Sequence, residues 1–165
     1  MTREEYRRLT GPFRNAKMAR FLHICNRISV CIVMFSYAGL LLWELWQRDL
    51  ILGRSIIVPL DTFLVVSVVR RMIDRQRPYE RYDMPPVIVK KTIGRSFPSR
   101  HVASAFVIAM TFLLAAGWMA YGIFLLAVSV LIGGLRVCSG VHYPGDVIAG
   151  AGAGILGAII GYLIL

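Results

Sequence analysis

Acidic side chains are scarce in this chain. Nine Asp and Glu stand against 19 Lys and Arg, giving a formal net charge of +10 over 165 residues. The carboxyl-terminal part has almost no charge of either sign: from His101 to Leu165 only Arg136 and Asp146 carry one. Cysteine is sparse too. Cys25, Cys31 and Cys138 show no metal-ligand spacing and read as small apolar fillers. No cleavable leader is expected, because Met1–Arg20 is polar and the first apolar run is followed by Glu-Leu-Trp-Gln-Arg rather than a small-residue cleavage site. The basic excess does not indicate a nucleic-acid partner, since the apolar runs leave little room for the folded basic face such binding needs. Apolar residues, by contrast, make up 57% of the chain, with a mean hydropathy of +0.64. A soluble domain of this length could not bury that much apolar surface, so the composition describes a membrane protein.

A bilayer core needs about 20 apolar residues in a helix. Ile28–Trp46 meets that need, with Trp43 and Trp46 placed as interface anchors. Ile51–Val69 is a second span and contains Asp61, which is expected to face the bundle interior or pair with Arg54 seven positions earlier. Val102–Leu135 would be about 50 Å long as one helix. Gly117 and Gly122 therefore mark a turn between two shorter helices, near Ser99–Ala116 and Met119–Val137. The last helix runs from about Asp146 to Leu165, with Gly150, Gly152, Gly154, Gly157 and Gly161 allowing close helix contact. The expectation is a single all-α domain over residues 1–165, a polytopic membrane bundle of about five transmembrane helices. Residues 1–23 form a basic amino-terminal segment, read equally well as an interfacial helix or as flanking charge.

The largest polar segment, Arg70–Arg100, holds four prolines and nine basic residues, Lys90 and Lys91 among them. It reads as a structured loop or short helices at the membrane surface. Five spans place the ends near Arg70, Ser99, Arg136 and Asp146 on one membrane face. His101, His142, Arg70, Arg77, Arg100, Arg136 and Asp146 then converge at one depth. Arg71, Arg75, Arg81 and Arg95 read as ordinary flanking charge.

Such a set suits phosphate chemistry. Guanidinium forks bind phosphoryl oxygens and stabilise charge on them as a transition state forms. One histidine can attack phosphorus while a second protonates the leaving oxygen. A nucleophilic ring needs a defined tautomer, and Asp146 lies four positions from His142. Ser99 and the backbone N–H groups beside it add donors at a helix start. Two His and one Asp could ligate a metal, but the cationic surroundings oppose one, so no metal or cofactor is expected.

At these residues the chain resembles the type 2 phosphatidic acid phosphatase (PAP2) superfamily, which shares its core with vanadium haloperoxidases. The first piece reads Arg70-Arg-Met-Ile-Asp-Arg-Gln-Arg77-Pro78, the second Pro98-Ser99-Arg100-His101, and the third Leu135-Arg136, five residues, His142, three residues, Asp146. Order and spacing match the family pattern across the motif-bearing core, residues 70–146. The resemblance implies a metal-independent lipid phosphatase of the bacterial membrane branch. His142 would form a phosphohistidine, Asp146 would orient it, and His101 would act as general acid. Arg70, Arg77, Ser99, Arg100 and Arg136 would form the phosphate-binding set.

Three positions depart from the pattern. Arg70 replaces Lys, Arg100 replaces Gly, and Leu135 replaces Ser. The Arg100 backbone N–H is kept. Its side chain either leans into the pocket, favouring a more anionic head group, or points outward, which is the preferred reading. Many family members have six spans, so a missing peripheral helix would leave a lipid-side opening or a surface for a homodimer. Most Lys and Arg lie on the site face, which the positive-inside rule puts on the cytoplasmic side of the plasma (inner) membrane. The implied substrate is a membrane lipid with a terminal phosphate or diphosphate, such as undecaprenyl diphosphate or another polyprenyl phosphate, phosphatidylglycerophosphate or phosphatidic acid. The alternative is a non-catalytic protein that binds anionic phospholipid head groups in the bilayer.

Overall fold

A computed structural model describes residues 1–90 and 92–164. Lys91 of the basic segment, and Leu165 at the expected end of the last helix, lie outside the described residues. In chain order the elements are α1 (Arg3–Thr10), a 3₁₀ turn (Gly11–Phe13), α2 (Ala16–Gln47), α3 (Leu52–Ile73), α4 (Pro78–Arg81), α5 (Arg100–Leu114), α6 (Met119–Cys138) and α7 (Pro144–Ile164). No strand occurs among the described residues. By length and composition, four helices among the described residues are long and apolar enough to cross a membrane: α2, α3, α6 and α7. The shorter apolar helix α5 accompanies them, so the architecture is the expected all-α membrane bundle.

The bundle is built around α5. Val102, Ala103, Ala105, Phe106, Val107, Ile108, Ala109, Thr111 and Phe112 are all buried, and a helix apolar on every side belongs inside. At about 1.5 Å per residue it is the shortest of the five. It packs against α2, α3, α6 and α7, which turn Phe35, Leu42, Val65, Leu131 and Leu163 outward. In a bilayer that outer surface meets lipid, and the helices satisfy their own backbone groups.

The local signals explain most helix ends. Thr2 and Glu5 form a reciprocal cap on α1, Thr2 Oγ1 accepting from the Glu5 N–H at 3.2 Å and Glu5 Oε2 from the Thr2 N–H at 2.7 Å. Asn15 caps α2. The α5–α6 turn falls at Gly117, whose φ of +67° favours glycine. Gly122 lies inside α6 instead, where its bare Cα lets Leu113 pack against it. Pro144 opens α7, where its missing N–H has no helical partner to lose.

One expectation needs correction and another gains detail. The basic amino-terminal segment divides between α1, the 3₁₀ turn and α2. Ala16 to His23 are the first turns of α2, which begins twelve residues before the apolar run and carries its basic turns out of the span. Asp61 does not face the interior. It is exposed, beside a groove between α3 and α7 lined by Thr62, Val65, Gly157 and Gly161. No ion pair joins it to Arg54 among the described residues, where Arg54 is also exposed.

Of the five α7 glycines singled out by their spacing, Gly150, Gly154, Gly157 and Gly161 are packing devices and Gly152 is not. A Cβ on Gly154 would stand 2.5 Å from the Ala103 carbonyl oxygen and 2.8 Å from Phe106 Cβ, whereas one on Gly152 would meet nothing within 4 Å. Gly154→Ala should therefore lower stability in detergent by about 1–3 kcal/mol. Gly152→Ala should change it by less than about 0.5 kcal/mol. Unfolding transitions monitored by circular dichroism compare the two, and an equal loss at both positions would refute the close α5–α7 contact.

Candidate active site

The ends of α3, α5, α6 and α7 meet on one face, and the expected residues meet with them. Arg70 ends α3, Arg77 stands at the start of α4, and Ser99 precedes α5. His101 lies in the first turn of α5, Arg136 in the last turn of α6, and Asp146 in the first turn of α7. His142 occupies the short link between α6 and α7.

Main-chain ties hold these ends in register. The Ser99 N–H donates to the Asp146 carbonyl oxygen at 2.8 Å, joining α5 to α7. A Cβ on Gly150 would stand 2.6 Å from the Ser99 carbonyl oxygen, so glycine is what lets that junction close. Arg70 Nη1 donates to the carbonyl oxygens of Pro98 (2.7 Å) and Ser96 (3.4 Å). Arg77 Nε donates to Gly94 O at 2.9 Å and its Nη1 to Val141 O at 3.2 Å. These two arginines shape the loops around the site and direct only part of each fork elsewhere. The Phe97–Pro98 peptide bond is cis.

His142 is 1% exposed, and its Nδ1 lies 3.6 Å from Asp146 Oδ2 and 3.5 Å from Ser96 Oγ. Those separations are longer than good hydrogen bonds, but they direct Nδ1 toward Asp146 and Ser96. Asp146 is fully buried and well supplied with donors. Arg75 Nη1 reaches Oδ1 at 2.8 Å, while the Tyr143 N–H (3.1 Å) and the Ser96 hydroxyl reach Oδ2. Burial lowers the His142 pKa to about 4; Asp146 works against that shift, and Arg77 and Lys90 add to it. Burial thus favours the neutral ring, which keeps a free lone pair.

Tyr143 Oη is buried without a partner among the described residues, and so are two atoms of the expected phosphate-binding set: Ser99 Oγ and Arg136 Nε. A buried donor left unmade is costly, and these two lie beside a concentration of positive charge. An anion with several acceptor oxygens, such as a phosphoryl group, meets both needs. His101 sits at the edge of this region and also lines a cavity of about 380 Å³ with Val30, Met34, Phe63, Ala105 and Ile108. The cavity is apolar along α2, α3 and α5 and polar at the His101 end, which fits an amphiphile.

Arg100 does not enter the site in the manner of the other arginines. Its guanidinium lies over the Phe63 ring, 5.1 Å from the centroid, and lines the same cavity. The residue is exposed, with its guanidinium beside the apolar cleft. Leu135 is buried.

Sequence reasoning missed two supporting residues. Arg75, expected to be flanking charge, instead pairs with Asp146 and stacks 4.1 Å from the Tyr143 ring centroid. Its place two positions before Arg77 was the available signal. Ser96 carried none, since a serine before Phe-Pro-Ser looks like ordinary loop. A third feature also escaped notice: Tyr6 of α1 is buried against Gly140, whose φ of +74° and lack of Cβ admit the ring. Helix α1 thus packs beside the link that carries His142. Among the described residues no group of three His, Cys, Asp or Glu is placed to hold a metal ion.

Comparison with known proteins agrees with this geometry. The PAP2 superfamily model matches residues 50–165, and the chain belongs to that superfamily. It is a phosphatase and a multi-pass membrane protein. LpxE of Aquifex aeolicus is similar in structure, with a TM-score of 0.74 and 27% identity, over 96% of this chain and 92% of its own. The first transmembrane PAP2-type phosphatidylglycerolphosphate phosphatase from Bacillus subtilis shares the fold, with a TM-score of 0.73 and 21% identity, over 98% of this chain and 83% of its own. Comparison with curated proteins gives no match.

Arg75→Met should leave the Asp146 carboxylate short of one strong donor. Turnover should fall about tenfold or more with KM changed less, because the lost contact lies behind the reacting groups. Steady-state kinetics of Arg75→Met and Arg75→Lys check this, the lysine recovering part of the loss. A change in KM alone would contradict the assignment.

Proposed function

We propose that the protein is a lipid phosphate phosphohydrolase whose nucleophile is His142. One observation carries this reading: a buried histidine backed by Asp146 lies in a cationic region where, among the described residues, Ser99 Oγ and Arg136 Nε have no partner. Residues 1–165 form one phosphatase domain, with its chemistry within residues 70–146.

In the first step His142 Nε2, the nitrogen turned from Asp146, attacks phosphorus. The bond to the lipid oxygen breaks, and His101 gives that oxygen its proton. Asp146 and Ser96 hold the Nδ1 side and favour the positive ring that forms. Arg70, Arg77, Arg136 and Ser99 stabilise the phosphoryl oxygens as charge shifts onto them. In the second step His101 takes a proton from water, the water oxygen bonds to phosphorus, and the P–N bond breaks to restore His142 and release phosphate. The arginines supply the charge stabilisation, so the proposed reaction requires no metal.

The substrate is a lipid with a terminal phosphate or diphosphate, since the cavity beside His101 is apolar away from the site. Phosphatidylglycerophosphate and polyprenyl phosphates suit a site on the cytoplasmic face of the plasma membrane. That orientation is supported by Arg3, Arg7 and Arg8 of α1, whose Tyr6 packs beside the His142 link, and by the basic first turns of α2. The far ends carry only Arg48 and Arg54. An amino-terminal tag should be protected from protease in intact spheroplasts, and cleavage there would reverse the orientation.

In detergent with EDTA, phosphate release should be measured from polyprenyl diphosphate, polyprenyl phosphate, phosphatidic acid and phosphatidylglycerophosphate. At least one should be hydrolysed, and His142→Ala should reduce turnover by about a thousandfold or more while the protein stays folded. His101→Ala should slow lipid phosphates about tenfold or more beyond its effect on an activated aryl phosphate. Binding of all four lipids without turnover would favour a non-catalytic head-group binder, and retained turnover in His142→Ala would remove the nucleophile assignment.

A further inference from the structure

We propose that Lys90 is an additional anion-binding residue of this site, its ammonium carried to the arginine cluster by the α4–α5 loop to take an oxygen of the phosphoryl group. This rests on reading the site as a phosphate site. It adds a residue outside the three sequence motifs.

The loop is pinned on both sides of Lys90. Before it, the Val87 N–H donates to the Ser139 carbonyl oxygen at 3.0 Å, tying the loop to the link that carries His142. After it, the Tyr79 hydroxyl donates to Thr92 O, Glu80 accepts from the Gly94 N–H at 2.9 Å, and Arg77 Nε donates to Gly94 O at 2.9 Å. Lys90 is thus held near the site by contacts to α4 and to the α6–α7 link.

Its side chain is half-buried and makes no hydrogen bond or ion pair among the described residues. Arg77 of α4's start, Arg136 of α6, Arg70 of α3 and Arg100 of α5 all act on its charge, and Lys90 acts in turn on His101 of α5 and His142 of the link. A cation among four other cations is unfavourable unless an anion joins them. The nearby carboxylates have other partners: Asp146 is held by Arg75, and Glu80 accepts from the Arg77 and Gly94 N–H groups. Arg70 and Arg77 are themselves partly occupied by backbone carbonyls. An unpartnered ammonium is free to follow a phosphoryl group as its oxygens move.

Burial and the four arginines lower the Lys90 pKa to about 8. The sign follows directly. Below pH 8 the free protein carries the ammonium and binds an anion with it; as pH rises through 8 the charge is lost and anion affinity falls. The arginines remain charged across pH 7–9, and histidine's ordinary titration lies below that window.

The test is binding of inorganic phosphate to the full chain in detergent by calorimetry at pH 7 and pH 9, with lipid turnover measured in parallel. Wild type should bind at pH 7 about tenfold more tightly than Lys90→Met and lose most of that advantage by pH 9. Lys90→Met should be weak at both pH values, and Lys90→Arg should bind well at both. Equal binding by wild type and Lys90→Met at pH 7, or the same pH dependence in all three proteins, would overturn the assignment of Lys90. Failure of the wider reading looks different: no phosphate binding by wild type and turnover indifferent to His142→Ala. That result would overturn both.

Discussion

The buried carboxylate of Asp146 is the joint on which the site depends. Arg75, Ser96 and the Tyr143 N–H occupy its two oxygens, and its own carbonyl oxygen receives the Ser99 N–H. One residue thus connects the loop after α3, the start of α5, the link after α6 and the start of α7. A carboxylate removed from water is tolerated only when paired and hydrogen-bonded, and this one is both. Its position beside His142 Nδ1 follows from the same set of contacts. The network that closes the bundle end therefore also orients the candidate nucleophile.

Around that joint lies an excess of positive charge. Four arginines and Lys90 influence one another unfavourably, and desolvation adds to the effect. Structural ion pairs do not relieve it, because Arg75 and the loop backbone already hold the local carboxylates. Among the described residues, Ser99 Oγ and Arg136 Nε remain without partners. Under the proposed function, this repulsion would be relieved by the negative charge of a phosphoryl group. The apolar cavity beside His101 extends from the same region along α2, α3 and α5.

Much of the bundle was legible in the sequence because apolar periodicity and length constrain membrane helices strongly. The break at Gly117, a last helix beginning near Asp146 and the convergence of His101, His142, Arg136 and Asp146 all follow from span counting. Asp61 was less legible: hydropathy locates a span but does not report which way one side chain turns, and this carboxylate faces the outer groove. The extra turns of α2 were hidden because basic residues are as helical as apolar ones when they emerge from a membrane. Arg75 and Ser96 act through contacts 71 and 50 positions away, which no local pattern encodes. Lys90 belongs with them, as a loop cation whose surroundings are set by three distant helices.

The most direct measurement is chemical trapping of the intermediate. The protein would be mixed with a ³²P-labelled lipid phosphate that it hydrolyses, quenched in alkali and digested for peptide mapping. Phosphohistidine catalysis predicts an acid-labile, alkali-stable label on the peptide containing His142, absent from His142→Asn. Hydrolysis at an undiminished rate in His142→Asn, with no label on that peptide in the wild type, would contradict it.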